Sequence, residues 1–121
     1  MEGCTEREAT EWRERAKGLL KGPTIDPVTT EPGLLEGLSE WERAVEIVEG
    51  DIVDIQRCDV LLQDFSLLNR QYIGTAFETR IGYMQGKMVV AVHPEGHPWL
   101  TYHCDAVFRR LEDACEFINR M

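Results

Sequence analysis

Residues 59–92 read DVLLQDFSLLNRQYIGTAFETRIGYMQGKMVVAV. The two apolar runs in it, 59–65 and 88–92, are typical of strands buried on both faces in a parallel sheet. Residues 73–87 between them have helical periodicity, and Gly86 suits the position just after a helix. The apolar stripe of this helix is formed by Ile73, Phe77, Ile81 and Met84. Strand, helix and strand in this order predict a parallel α/β unit.

The rest of the chain continues this alternation in both directions. The pattern predicts a helix from the N-cap Thr5 to about Leu20, a short strand at 24–28, a loop at 29–38, a helix at 40–57 capped by Ser39 and Glu42, loops at 66–72 and 93–105, an edge strand at 106–108 and a closing helix at 110–120. We therefore predict one α/β domain over residues 1–121.

Composition narrows the class of partner. The 121 residues carry a formal net charge of −9, with a pI near 4.8, so the basic surface expected of a nucleic-acid-binding protein is missing. A small molecule or another protein is the expected partner. No apolar run approaches the roughly 18 residues of a membrane span, and the N-terminus is charged from its second residue. We predict a cytoplasmic protein with no membrane contact.

Cysteine and histidine spacing gives no sign of a metal site. The four cysteines are Cys4, Cys58, Cys104 and Cys115, and none forms a CxxC pair. Reduced thiols are the expected state in a cytosolic protein. His93, His97 and His103 with Cys104 lack the paired spacing of a zinc site, so we predict no metal.

The predicted sheet directs attention to one edge. Ligands of parallel α/β sheets bind beyond the carboxyl ends of the strands, where Asp64 and the segments 65–75 and 93–105 meet. Gly74 and Thr75 at the start of the third helix are small, and a helix N-terminus attracts a phosphate or a polar sugar.

Glu78 lies about one turn inside that helix, beside Phe77. A carboxylate next to an apolar ring can attack an electrophilic sugar carbon if a second acid protonates the leaving group. Asp59, which opens the preceding strand, and Asp64, which closes it, are candidates for that acid. Acids are also common at helix starts and strand ends for structural reasons, so the pattern alone leaves a structural role open.

The segment CDVLLQDFSLLNRQYIGTAFETRIGYMQGKMVVAV (58–92) resembles the core of the nucleoside 2-deoxyribosyltransferase family, most specifically in its G-T-A-F-E-x-x-x-G-Y-x-x-G-K block. Weaker likeness extends to 12–16, 26–27 and 111–114. The resemblance implies a flavodoxin-like parallel sheet of about four to five strands and retaining exchange at the N-glycosidic bond of 2′-deoxynucleosides. A related branch, the nucleoside 5′-monophosphate N-glycosidases, passes the sugar to water instead.

The same resemblance assigns roles to residues. Glu78 matches the nucleophilic glutamate and Asp59 the aspartate that handles the base and its proton, with no metal or organic cofactor. Tyr72 stands where family members carry an acid or a serine. The substrate-binding positions expected from the sequence are Asp64, Asn69, Tyr72, Gly74 and Thr75. Family members are commonly homo-oligomers, and they usually begin with a strand resembling I-Y-L-A-G-P, which we expect to be encoded upstream of Met1.

Two non-enzymatic interpretations compete with this hypothesis. A protein of the same fold could bind nucleotides without turnover, as a sensor or scaffold. Alternatively, the segment HPEGHPWLTYHCD (93–105) could serve as a docking loop, since Trp99, Tyr102 and three histidines suit an interface or stacking on a base.

Overall fold

The computed structural model describes residues 6–25, 35–67 and 72–121. In chain order its elements are α1 (Glu6–Leu19), α2 (Glu40–Arg57), β1 (Val60–Asp64), α3 (Ile73–Met84), β2 (Met88–Val92), α4 (Pro98–His103), β3 (Ala106–Phe108) and α5 (Leu111–Asn119). The predicted N-cap Thr5 lies outside the described residues. No helix within these ranges combines the length and the apolar character needed to cross a bilayer.

The three strands form one parallel sheet in the order β1-β2-β3. Val60 of β1 lies opposite Met88, and Val90 of β2 lies opposite Ala106. The predicted parallel α/β architecture is confirmed, but the described sheet has three strands rather than four to five. Of the strand predicted at 24–28, residues 24–25 have no regular structure, and the remainder lies outside the described ranges.

Helices cover both faces of the sheet because its side chains alternate. Val90 and Val92 point to one face and pack with Ala16 of α1 and with Leu111 and Ala114 of α5. Ala91 points to the other face, where the buried cluster also contains Phe65 and Leu100. β2 is therefore the centre of the core, and its residues 89–92 are at most 1% exposed. Successive side chains of a strand point to opposite faces of the sheet, and this alternation explains why the core consists of two clusters.

α2 begins as its sequence predicts. The Ser39 side chain accepts a hydrogen bond from the Glu42 backbone N–H, and the Glu42 carboxylate accepts one from the Ser39 N–H, each at 3.1 Å. This capping box satisfies two of the donors that a helix start leaves unpaired. Among the apolar residues of this helix, Ile55 is buried, whereas Trp41 and Val48 are exposed.

The face of α3 that packs on the sheet is not the apolar stripe predicted from the sequence. Its buried residues are Thr75, Thr79 and Gly82, whereas Ile73, Phe77 and Met84 of the predicted apolar stripe are exposed. A Cβ atom on Gly82 would lie 2.7 Å from Cδ2 of Leu61 and 3.3 Å from Cγ2 of Val89. Gly82 therefore lets the helix backbone approach the strands closely, and the large side chains are left on the outer surface.

Because of this close approach, Gly82→Leu is expected to lower the free energy of unfolding by about 1–3 kcal/mol, the usual cost of overpacking a core. Gly18→Leu in α1 is the matched control, since nothing lies within 4 Å of a Cβ atom there. Urea unfolding of the two variants measures the difference. Equal effects of both substitutions would show that the space at Gly82 does not limit packing.

Part of the segment predicted as a loop at 93–105 is helical. Pro98 occupies the first position of α4, where its missing N–H costs nothing, and Nδ1 of His97 accepts a hydrogen bond from the Trp99 N–H at 3.2 Å. Histidine is not a typical N-cap residue, so the sequence pattern did not indicate a helix start here.

Candidate active site

Glu78 lies in the second turn of α3, where this helix packs against α2 and β1. Its half-buried carboxyl group is hydrogen-bonded to two side chains: Gln63 from β1 and Asp51 from α2. Gln63 is itself buried, and its Nε2 donates to the Thr75 carbonyl at 3.2 Å. A strand and two helices thus bring one amide and two carboxyl groups together.

Burial and charge change the acidity of this pair. Loss of solvent is the main reason why the pKa of Glu78 rises to about 7, and the neighbouring charge of Asp51 adds to the rise. The pKa of Asp51 is also raised, again chiefly by burial and further by the charge of Asp54. Hydrogen bonding by Gln63 acts in the opposite direction on Glu78, since it stabilises the ionised form.

Two carboxyl groups in hydrogen-bond contact cannot both ionise easily, so they share one proton. Their mutual hydrogen bond raises the pKa of Glu78 and lowers that of Asp51, so the proton resides mainly on Glu78. Transfer of this proton to Asp51 makes Glu78 an ionised nucleophile held beside a proton donor. This is the pairing that retaining glycosyl transfer needs, because one carboxylate attacks the sugar while the other group protonates the leaving atom.

Further charged groups border the pair. The charge of Asp54, three residues after Asp51, raises the pKa of Asp51, and that of Arg13 from α1 lowers it. One carboxyl oxygen of Asp54, Oδ2, is buried without a hydrogen-bond partner among the described residues. A buried acceptor of this kind costs free energy unless it is satisfied, so Asp54 adds to the polar groups that are buried beside the carboxyl pair at a cost in stability.

Neither aspartate at the ends of β1 is among the groups that shift the pKa of Glu78. Asp64 is buried at the carboxyl end of β1, where its carboxylate accepts hydrogen bonds from the N–H and the hydroxyl of Ser66 at 3.2 and 3.0 Å. Burial raises its pKa, and these hydrogen bonds oppose the rise. Asp59 precedes the amino end of β1 with an exposed side chain. The partner of Glu78 in the structure is Asp51, which the sequence analysis did not select.

The other predicted positions lie around the start of α3. The Tyr72 hydroxyl accepts a hydrogen bond from the Leu67 N–H at 3.1 Å, and its ring packs edge-on against Phe65. Thr75 is buried, and its carbonyl accepts from Gln63 and from the Thr79 hydroxyl. Gly74 is half-buried in the first turn. Asn69 falls outside the described residues.

Sequence reasoning missed Asp51 and Gln63, although each leaves a signal. Asp51 precedes the buried Ile55 by four residues, so it lies on the packed side of α2. Gln63 interrupts the apolar run VLLQD. A polar residue within an apolar pattern requires a hydrogen-bond partner when it is buried. Asp51 and Gln63 have the same partner, Glu78 of α3.

A cavity of about 1090 Å³ lies between α3 and α4, at the carboxyl ends of β1 and β2. Its walls include Phe65, Tyr72, Phe77 and Trp99, but neither Glu78 nor Asp51 lines it. From the sequence, the apolar ring of Phe77 was expected to lie against the carboxyl group of Glu78 and exclude water from it. Instead it is 68% exposed and faces this cavity, so packing against α2 and β1 desolvates the carboxyl group.

Among the described residues, no three or more histidine, cysteine, aspartate or glutamate side chains are grouped so that they could hold a metal ion. Comparison of the chain with models of known protein families and with curated protein sequences finds no match.

Proposed function

We propose that this chain is a cytoplasmic enzyme that cleaves the N-glycosidic bond of deoxynucleosides or nucleotides. It forms a covalent glycosyl ester with Glu78 and passes the sugar to another base or to water. The observation that carries the proposal is the contact between Glu78 and Asp51, with the pKa of Glu78 raised to about 7. The resemblance of residues 74–87 to nucleoside deoxyribosyltransferases supports the choice of substrate.

In the first half of the reaction, a carboxylate oxygen of Glu78 attacks the anomeric carbon while the carbon–nitrogen bond breaks. Asp51 gives the shared proton to the departing base, which leaves neutral. Gln63 holds the attacking carboxylate through its side-chain hydrogen bond. The products of this step are a free base, a glycosyl ester on Glu78 and an ionised Asp51.

In the second half, an incoming base or a water molecule attacks the same carbon from the face that the first base left. The ester bond breaks and Glu78 becomes a carboxylate again. Asp51 removes the proton of the nucleophile, which restores the protonated pair. Two displacements at one carbon retain its configuration.

Incubation with a deoxynucleoside and a second free base tests the proposal, with chromatography of the products. Exchanged nucleoside identifies a transferase, and free base without exchange identifies a hydrolase. The assay is run with deoxynucleosides and with their 5′-monophosphates. Absence of both products with every substrate would contradict the enzyme proposal and favour a non-catalytic nucleotide-binding protein.

A matched pair of variants separates the two candidate acids. Asp51→Asn is expected to lower kcat/KM by about 10²-fold or more, the usual contribution of a positioned acid or base. Asp59→Asn removes an exposed carboxylate and is expected to leave kcat/KM unchanged. The opposite ranking would return the acid/base role to Asp59, as the family resemblance implies.

A further inference from the structure

The cavity between α3 and α4 is not used by the proposed glycosyl transfer. Its volume of about 1090 Å³ is at the upper end of the range for sites that bind small molecules. Neither Glu78 nor Asp51 lines it. The cavity nevertheless lies at the carboxyl ends of β1 and β2, the edge at which parallel α/β sheets bind ligands. This position makes it a candidate for a second ligand site.

One wall of the cavity is a continuous series of contacts between α3 and α4. Arg80 of α3 donates a hydrogen bond to Nε2 of His103 at 3.0 Å. The His103 ring stacks on Trp99, with 9° between the ring planes and 5.7 Å between the centroids. The Trp99 backbone N–H donates to Nδ1 of His97 at 3.2 Å, and the rings of His97 and His93 lie 6.4 Å apart. All five residues line the cavity, so direct contacts hold its polar wall together.

The hydrogen bonds of the three histidines determine which ring nitrogens carry protons. Nδ1 of His93 and Nδ1 of His97 each accept a hydrogen bond from a backbone N–H. A nitrogen that accepts carries no proton, so both rings are neutral and present an N–H at Nε2. Neither Nε2 has a hydrogen-bond partner among the residues that the structure describes. His103 carries its proton on Nδ1, which lies 2.7 Å from the Trp99 carbonyl oxygen, because its Nε2 accepts from Arg80.

The polar groups that this wall offers to a ligand are therefore hydrogen-bond donors. They are the Nε2–H groups of His93 and His97 and the guanidinium N–H groups of Arg80 that do not bind His103. Among the described residues, no aspartate or glutamate lines the cavity, and none forms an ion pair with Arg80. Donors without a carboxylate beside them favour an anionic ligand.

The charge of the lining favours an anion with a single charge. Because the histidines are neutral, Arg80 supplies the only positive charge among the described residues that line the cavity. A carboxylate carries one negative charge, whereas a phosphate monoester carries about 1.5 to 2 at pH 7. The chain has a net charge of −9, so it repels the charge of a phosphate that Arg80 does not neutralise. A carboxylate is the better match.

The remaining walls are mainly aromatic. Phe77, Trp99 and Tyr102 all line the cavity and are mostly exposed. His103 covers one face of the Trp99 ring, and the side chain is still 71% exposed, so the other face is open for stacking. We propose that the cavity binds a planar aromatic carboxylate. Its ring stacks on Trp99 and its carboxylate accepts hydrogen bonds from Arg80, with the two Nε2–H groups as further donors to its polar atoms.

Isothermal titration calorimetry of the full chain with naphthalene-2-carboxylate tests this proposal. Naphthalene-2-carboxamide has the same ring without the charge, and the carboxylate is expected to bind at least about tenfold tighter than this amide. Decahydronaphthalene-2-carboxylate keeps the charge without a flat ring and is expected to bind about two- to tenfold more weakly. 2-Naphthyl phosphate is also expected to bind more weakly than the carboxylate.

Two variants locate the bound probe. Arg80→Gln is expected to weaken binding of naphthalene-2-carboxylate at least about tenfold and to leave the affinity for the amide within about twofold. Trp99→Ala is expected to weaken binding of both probes by about two- to tenfold, since the stacking contact is common to them. Arg43→Gln is the matched control, because Arg43 is an exposed arginine of α2 that does not line the cavity.

Thermal unfolding by circular dichroism verifies that each variant is folded. Absence of carboxylate binding, equal binding of the carboxylate and the amide, tighter binding of the phosphate, or wild-type carboxylate affinity in either Arg80→Gln or Trp99→Ala would each overturn the proposal. Binding is measured without any nucleoside, so the result does not depend on the proposed glycosyl transfer.

Discussion

Glu78→Gln is expected to lower base exchange or base release by at least about 10³-fold, because the reaction proceeds through a bond to this carboxylate. Glutamine keeps the size and the hydrogen-bonding capacity of the side chain but cannot form the ester. Incubation of wild type with substrate, followed by mass spectrometry of the intact protein, should detect the added sugar, and the variant should show none.

Glu49→Gln is the matched control, since Glu49 is an exposed acid on α2, two residues before Asp51. It should retain wild-type turnover. Unchanged turnover in Glu78→Gln would remove the nucleophile from the mechanism and would leave the carboxyl pair with a structural role.

The same variant is expected to become more stable than wild type as the pH rises. The pKa of Glu78 in the folded protein is about 7 against an ordinary value of 4.5, so folding favours the protonated form. Below pH 4.5 the group is protonated in both states, and no penalty arises. Between 4.5 and 7 the wild type loses stability, and above about 7 the full penalty of a buried charge is present.

One pKa unit is worth about 1.4 kcal/mol, so Glu78→Gln should gain up to about 3 kcal/mol over wild type near pH 8. Near pH 4 this gain should vanish. Urea unfolding at both pH values and equal ionic strength measures it, with Glu49→Gln expected to follow wild type. A constant difference between Glu78→Gln and wild type at both pH values would mean that Glu78 ionises normally in the folded chain.

These two results answer different questions. Loss of turnover tests whether Glu78 reacts, whereas the pH dependence tests whether the packing of α2 and β1 against α3 desolvates its carboxyl group. A protein that shows the second effect without any activity would keep the buried pair as a structural feature and would favour the nucleotide-binding interpretation.

Sequence reasoning was most successful where a single element carries its own signal. The runs around Leu62 and Val90 are parallel strands, as their apolar continuity predicts. The run around Val90 is fully buried, whereas Val60, Leu61 and Leu62 are only half-buried because β1 lies at the edge of the described sheet. Ser39 and Glu42 define the start of α2 through contacts within four residues. Gly86 follows α3 at a φ of 71°, which glycine adopts without strain.

Predictions made from one element alone were wrong where the result depends on how that element packs against another. Helix α3 has two possible inner stripes, and hydrophobicity alone favoured the one with Phe77. The structure buries the other because Gly82 permits a closer approach to Leu61 and Val89. Likewise, a segment with three histidines gave no helix signal, although His97 and Pro98 together start α4.

Local patterns in the sequence were enough to predict α1, α2, α3, α5 and the three strands of the sheet, and to select Glu78 as a candidate nucleophile. Periodicity, capping and a short motif are properties of neighbouring residues, so they can be recognised without the fold. Tertiary packing set the remaining features: Glu78 contacts Asp51 and Gln63, Asp64 is hydrogen-bonded to Ser66, and the side chains of Phe77 and Trp99 are exposed. The physical reason is that a contact between residues 27 positions apart depends on how α2 and α3 pack, and no local pattern encodes that geometry.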